Sequence, residues 1–347
     1  MRDILPELEN WLASGQQVAL ATVIRTWGSS PRRVGAKMAL TVDGKITGSV
    51  SGGCVEGAVF ETGVEVLEKG QPKFLHFGVA DETAWEVGLA CGGQIDLFVQ
   101  ALEPKWFARL DKQLESSSSF AVATVVRGPN DLLGRKLMAD AKGILAGVVH
   151  ADLDAAIFEK AARALSAGLS RVVDLPAGPT ENLAVFIEVV QPQPVLIVVG
   201  GVHTAIVLTE IARSMGFRTV VIDPRRAFGS PERFPHIDQL IQAWPQEAFA
   251  QLRLTSQTAV AMLTHDPKID DPALQITLDS PAFYIGALGS PTTQEKRRER
   301  LRAAGFREEQ LARLHGPIGL ELGADTPEEI ALSIMAEIVA VKRGGQV

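Results

Sequence analysis

A chain of 347 residues with 46% hydrophobic and 22% charged residues has enough length and apolar content for two or three packed domains, which excludes a disordered chain. Its net charge of −7 argues against nucleic acid as a partner, because recognition of a phosphate backbone calls for a net basic face. The longest apolar run, 195–202, is too short to span a bilayer, and two cysteines with neither a CxxC pair nor an export signal point to reduced thiols in the cytoplasm.

Residues 1–17 carry Ile4, Leu5, Leu8, Trp11 and Leu12 at helical spacing, which predicts an amphipathic helix. From there one unit occurs twice. Ala21-Thr22-Val23-Ile24-Arg25 returns as Ala123-Thr124-Val125-Val126-Arg127, and Gly35-Ala36-Lys37-Met38 as Gly134-Arg135-Lys136-Leu137. The segments 44–50, 57–61 and 94–99 return in the same order as 143–149, 155–159 and 182–187, which points to a tandem duplication over about 17–104 and 119–192. Each copy reads as strand, loop, strand, helix, strand and strand, from short Val/Ile/Thr-rich runs bounded by glycine and from Val55, Val59, Val66 and Leu67 at helical spacing. Residues 1–192 are therefore expected to form an α/β domain of two related halves, closed by the joint Gln191-Pro192-Gln193-Pro194.

Subtracting one copy from the other separates scaffold from candidate site. Only the first copy has Thr26-Trp27-Gly28-Ser29-Ser30-Pro31-Arg32-Arg33-Val34, Ser51-Gly52-Gly53-Cys54-Val55-Glu56 and Cys91-Gly92-Gly93. Cys54 stands at a helix start, where backbone N–H groups and the helix dipole favour an anion or a thiolate, and Gly52 and Gly53 are suited to an anion-binding nest. Arg32, Arg33 and Lys37 supply positive charge for a phosphate, and Ser29 and Ser30 add hydroxyl donors. A solvated basic loop is the commoner fate of such arginines, and Lys136 in the place of Lys37 argues for scaffold there. A zinc site at the cysteines with His76 lacks further ligands at suitable spacing, and His76 reads as a strand residue satisfied locally.

Residues 195–347 have a different pattern, expected to be a Rossmann-like doubly wound parallel sheet. The apolar run Val195-Leu196-Ile197-Val198-Val199 leads into Gly200-Gly201-Val202-His203-Thr204-Ala205, then a helical stretch, then Thr219-Val220-Val221-Ile222-Asp223. Asp223 falls about where a ribose-binding carboxylate belongs, but Val202 replaces the middle glycine that lets a pyrophosphate touch the backbone, which argues against NAD(P) in the usual pose. Strands 259–264 and 283–287 follow. Gly200, His203, Asp223, His265 and Asp266 all fall at strand ends, where open α/β sheets bind ligands, although a histidine bonded to nearby backbone is as good a reading of His203 and His265. Thr326 and Pro327 read as the start of a helix, and 295–302 as a solvated helix face.

The blocks Gly28-Ser29-Ser30-Pro31-Arg32-Arg33-Val34-Gly35-Ala36-Lys37-Met38 and Gly48-Ser49-Val50-Ser51-Gly52-Gly53-Cys54-Val55-Glu56 resemble the signature of the xanthine dehydrogenase accessory factors, the XdhC/CoxI family. Cys91-Gly92-Gly93 is similar to that family's third block. Leu263-Thr264-His265-Asp266, Tyr284-Ile285-Gly286-Ala287-Leu288-Gly289-Ser290 and Gly316-Pro317-Ile318-Gly319-Leu320-Glu321-Leu322-Gly323-Ala324 are similar to its Rossmann domain, with Val202 and Glu321 as departures from the pattern. The resemblance implies a cytoplasmic maturation factor rather than a catalyst. Such a factor binds molybdenum cofactor (molybdopterin), holds it while a cysteine desulfurase supports its sulfuration, and passes it to a xanthine dehydrogenase type molybdenum hydroxylase. For a cargo with a phosphate and a sulfur-bound metal, Arg32, Arg33 and Lys37 are expected to hold the phosphate, with Cys54 and Cys91 near the molybdenum end as ligands or as sulfur handlers. A homodimer is the base-rate expectation. Two other readings remain open from the residues: an NAD(P)-dependent oxidoreductase using the C-terminal domain, and a sulfurtransferase carrying a persulfide on Cys54.

Overall fold

The structure is a computed structural model describing residues 1–30, 32–78, 93–116, 118–176 and 182–345. The chain divides into two compact units, Met1–Pro192 and Gln193–Val347.

In the first unit, a 3-10 turn at Arg2–Ile4 leads to α1 (Leu5–Ala13), β1 (Val18–Trp27), β2 (Lys37–Thr41), β3 (Ile46–Gly48), α2 (Glu56–Lys69), β4 (Lys73–Phe77) and β5 (Gln94–Ala101). The same seven elements follow as α3 (Pro104–Leu114), β6 (Phe120–Arg127), β7 (Lys136–Ala139), β8 (Ile144–Gly147), α4 (Asp154–Ala167), β9 (Arg171–Pro176) and β10 (Asn182–Val190). The two sheets have the orders β3-β2-β1-β5-β4 and β8-β7-β6-β10-β9, one topology used twice. Each copy thus has a short strand between its second strand and its helix that the strand–loop–strand–helix reading omits. Each is also preceded by a helix that the repeat does not include.

The likeness extends to irregularities. The pairing of β1 with β5 skips Ile24, and that of β6 with β10 skips Val126, the same repeat position. Both bulged residues belong to one apolar cluster with Phe98, Ala184 and Phe186 where the sheets pack on each other. Outer faces are covered by α2 and α4, and α1 and α3 cover the rest of the inner faces. A glycine ends β3 and β8 with φ of +75° and +83°. A Cβ there would strike the carbonyl of Lys37 or Lys136, and next the Ile4 or Trp106 side chain.

The second unit contains β11 (Val195–Val199), α5 (His203–Ser214), β12 (Arg218–Ile222), β13 (Gln239–Ile241), α6 (Pro245–Phe249), β14 (Thr258–Met262), α7 (Pro267–Leu278), β15 (Tyr284–Ala287), α8 (Pro291–Ala303), α9 (Glu308–Leu311), β16 (Leu314–His315) and α10 (Pro327–Arg343). Its six strands are all parallel in the order β13-β12-β11-β14-β15-β16, the doubly wound arrangement whose order reverses between β11 and β14. Apolar strands with an apolar cluster on each side explain the continuous Val/Ile runs. Thr326 caps α10 through a capping box with Glu329. The 295–302 face is not wholly solvated: Arg297 of α8 is 2% exposed and pairs with buried Asp270. Among the described residues no helix is long and apolar enough to cross a membrane.

Candidate functional site at one end of the first sheet

Antiparallel register places Trp27 opposite Gln94, Phe77 opposite Ile95, Lys37 opposite Thr22 and Gly48 opposite Met38. The ends of β1, β3 and β4 and the starts of β2 and β5 therefore lie at one end of the sheet. Cys91 and Gly92 lie outside the described residues, so the pairing of Cys54 with Cys91 as molybdenum neighbours is not tested. Gly93 is described, and its backbone lies so close to the first loop that a Cβ would stand 2.5 Å from Ser29 O and 3.1 Å from Trp27 O. That approach joins the third block to the first. Ser29 is exposed, Ser30 donates from its hydroxyl to Arg32 O at 3.0 Å, and the Arg32 and Arg33 side chains are exposed.

Two features of this set, the glycine pair and the lysine, have other partners. Gly52 and Gly53 do form a nest, with φ of +79° and +121°, but Glu56 fills it from within the chain. Its carboxylate accepts from the N–H groups of Val50, Ser51, Gly52 and Gly53 at 2.9–3.2 Å, and from the hydroxyls of Ser49 and Ser51. Burial works to raise the Glu56 pKa, yet these bonds, led by Ser51, hold it down at about 2. The second copy does the same with Asp154, which accepts from Val149 N and His150 N, so the acid at the helix start is scaffold. Lys37 is the other correction. It is 6% exposed and its ammonium donates to Glu188 Oε2 of β10 at 2.9 Å, turned between the two sheets instead of toward the arginines.

Cys54 is a partly buried free thiol packed against the core of the first copy, just before α2. His76 is satisfied locally as expected: its Nδ1 lies 2.7 Å from Asp96 Oδ1, and its ring meets Trp27 edge to face with centroids 6.3 Å apart. Beside Trp27 a cleft of about 400 Å³ opens between the two copies, lined by Arg25, Trp27, Val34, Ser170 and Arg171. Trp27 is 44% exposed, an aromatic side chain in a cleft that two arginines also line. Trp27 lies in a block that subtraction isolates, but Arg171 belongs to the copy that subtraction sets aside. Among the described residues no three His, Cys, Asp or Glu side chains form a metal-binding group.

In the second unit, Gly200, His203, Asp223, His265 and Asp266 gather at the carboxyl ends of β11, β12 and β14. Gly200 has φ of +112°, and a Cβ there would stand 2.6 Å from Thr264 Cγ2, so the turns after β11 and β14 touch at the switch point. His203 is exposed, 3.8 Å from Glu328, and His265 is exposed with φ of +61°, the non-glycine residue with positive φ among those described. Asp266 caps α7 by accepting from Lys268 N. Asp223 is fully buried, and both oxygens are taken: Oδ1 by Arg225 N and Nε, Oδ2 by Gly201 N and Arg225 Nη2, at 2.7–2.9 Å. Burial acts to raise its pKa, but the Arg225 and Gly201 bonds outweigh it and lower it. A ribose hydroxyl finds no free acceptor there, which corrects the expected role.

Comparison with known proteins agrees over both units. The XdhC and CoxI family model matches residues 11–78, and the XdhC Rossmann domain model matches 196–338. A Bacillus subtilis protein described as a probable subunit of xanthine dehydrogenase is 27% identical over 97% of this chain and 96% of its own. The Escherichia coli molybdenum cofactor insertion chaperone PaoD is 26% identical over 98% of this chain and 88% of its own. A crystal structure of a Bacillus halodurans protein described as a xanthine dehydrogenase shares the fold, with a TM-score of 0.79 and 24% identity over 99% of this chain and 96% of that one. With the signature blocks gathered at one sheet end and a Rossmann-like sheet following, the chain belongs to the XdhC and CoxI family.

Proposed function

We propose that this chain binds molybdenum cofactor as cargo, supports its sulfuration, and inserts it into a xanthine dehydrogenase type molybdenum hydroxylase in the cytoplasm. The observation that carries the reading is the junction of the basic loop with the third block at Gly93, beside the cleft of Arg25, Trp27 and Arg171. Molybdopterin has a phosphate, a flat pterin and a sulfur-bound metal. Arginines suit the phosphate, the Trp27 face suits the pterin, and a partly buried thiol at Cys54 suits the metal end. The name of the Escherichia coli relative supports cofactor insertion. A cysteine desulfurase would be the sulfur source, and a second copy of this chain is the base-rate partner.

Purification with molybdenum cofactor tests this. The Trp27→Ala, Arg32→Ala with Arg33→Ala, and Cys54→Ala variants are each expected to lower cofactor retention at least tenfold while the fold persists by circular dichroism. Undiminished retention and undiminished activation of a client enzyme in all three would sink the reading.

A further inference from the structure

The duplication places six polar residues between the two sheets in three equivalent pairs: Thr22 with Thr124, Lys37 with Lys136, and Gln100 with Glu188. In both copies the threonine lies opposite the lysine in the β register, Thr22 to Lys37 and Thr124 to Lys136. Equivalence extends to the third pair. A Cβ on Gly35 would stand 3.7 Å from Glu188 Oε1, and one on Gly134 would stand 3.2 Å from Gln100 Oε1. The charge is not equivalent, because Lys37 has the Glu188 carboxylate and an amide occupies the corresponding place near Lys136.

Lys136 has no hydrogen-bond or carboxylate partner among the described residues, and its ammonium lies 5.7 Å from the centre of the Trp106 ring. Lys136 lines the space between the sheets and an open cleft as well. It lines a cleft of about 430 Å³ together with Lys105, Trp106, Arg109, Arg135 and Gly147, which has Glu103 as its one acid among the described residues. Arg135 is committed to the carbonyls of Asp131 and Val149, while Lys105 and Arg109 are exposed on α3 with no partner among the described residues. Burial pushes the Lys136 pKa down to about 8, with the Lys37 charge adding to the shift and the Glu103 charge opposing it.

We propose that this cleft between α3 and the β7–β8 hairpin binds a small phosphate-bearing anion, with Lys136 at its floor and Lys105 and Arg109 at its mouth. The volume is that of a small-ligand pocket, and three uncommitted cations match a ligand with more than one negative charge. The site belongs to the second copy, so it is separate from the basic loop of the first and does not depend on the cargo assignment.

The experiment titrates pyrophosphate into the full chain by calorimetry, with citrate as a carboxylate control. Wild type is expected to bind pyrophosphate and to bind citrate at least tenfold more weakly. Lys136→Met and Arg109→Gln should each weaken pyrophosphate at least tenfold. Gln100→Glu is the sharpest variant, since it removes no cation and gives Lys136 the counter-charge that Lys37 has; it should weaken binding as much. Arg32→Ala with Arg33→Ala should leave binding unchanged. Arg109 is at the surface, so its variant reports even if a buried substitution unfolds the chain. Equal binding of citrate, or unchanged pyrophosphate binding in Arg109→Gln and Gln100→Glu, would overturn the proposal.

Discussion

Glu56 shows how an internal carboxylate can take the place of an anionic ligand. Four backbone N–H groups and two hydroxyls converge on it, so its charged form is stabilised more in the fold than in the unfolded chain. With a folded pKa near 2, it contributes stability above the unfolded value near 4.5, and that contribution is lost as pH falls toward 2. Glu56→Gln presents an amide donor to a ring of donors. It should cost about 1–2 kcal/mol at neutral pH, reduced by partial exposure. Urea unfolding at several pH values checks this: the gap between wild type and variant should close between about pH 4.5 and 2, and a gap that stays constant would refute the assignment. Gly93 makes a different single-residue prediction, since its Cβ would meet backbone and not a movable side chain. Gly93→Ala should displace the loop at Ser29 and reduce cofactor retention about tenfold, with a loss of only about 1 kcal/mol in stability. Retention assayed beside a melting curve separates the two effects.

At the scale of elements, the Lys37–Glu188 pair ties β2 of one copy to β10 of the other. Glu188→Ala would leave an ammonium 5% exposed without its carboxylate, at a cost of about 3 kcal/mol, whereas Lys37→Met with Glu188→Leu should recover most of it. A double-mutant cycle in guanidinium measures the coupling, and additive single costs would show that the pair is not coupled. This pair also marks where sequence reasoning stops. Alternating Val, Ile and Thr runs make β1, β2, β5 and their counterparts readable, and their fixed order exposes the duplication. The helix that opens the first copy is legible from its helical spacing, but the repeat reaches neither opening helix, because Ile4 and Trp106 fill equivalent places by shape with unlike side chains. A lysine four positions after two arginines reads as part of an anion site, and only a contact 151 positions away reveals its partner. Asp223 is similar: strand-end placement is legible, but occupation by Arg225 and Gly201 depends on how the following turn folds back.

On the scale of the whole chain, the second unit departs from a dinucleotide-binding sheet at two positions. The Rossmann-like sheet has the usual strand order, but Val202 stands at the place of the second glycine and its expected ribose acid is saturated. The features that carry the cargo reading all lie in residues 1–192, which have their own apolar cores in both copies and between them. A chain of residues 1–192 should therefore unfold in one cooperative transition and retain molybdenum cofactor within about threefold of the full chain, a difference of less than about 1 kcal/mol. Calorimetric melting establishes the first point and cofactor retention after gel filtration the second. If the fragment folds cooperatively yet retains no cofactor, residues 1–192 do not suffice for the cargo site and the second unit is required for retention.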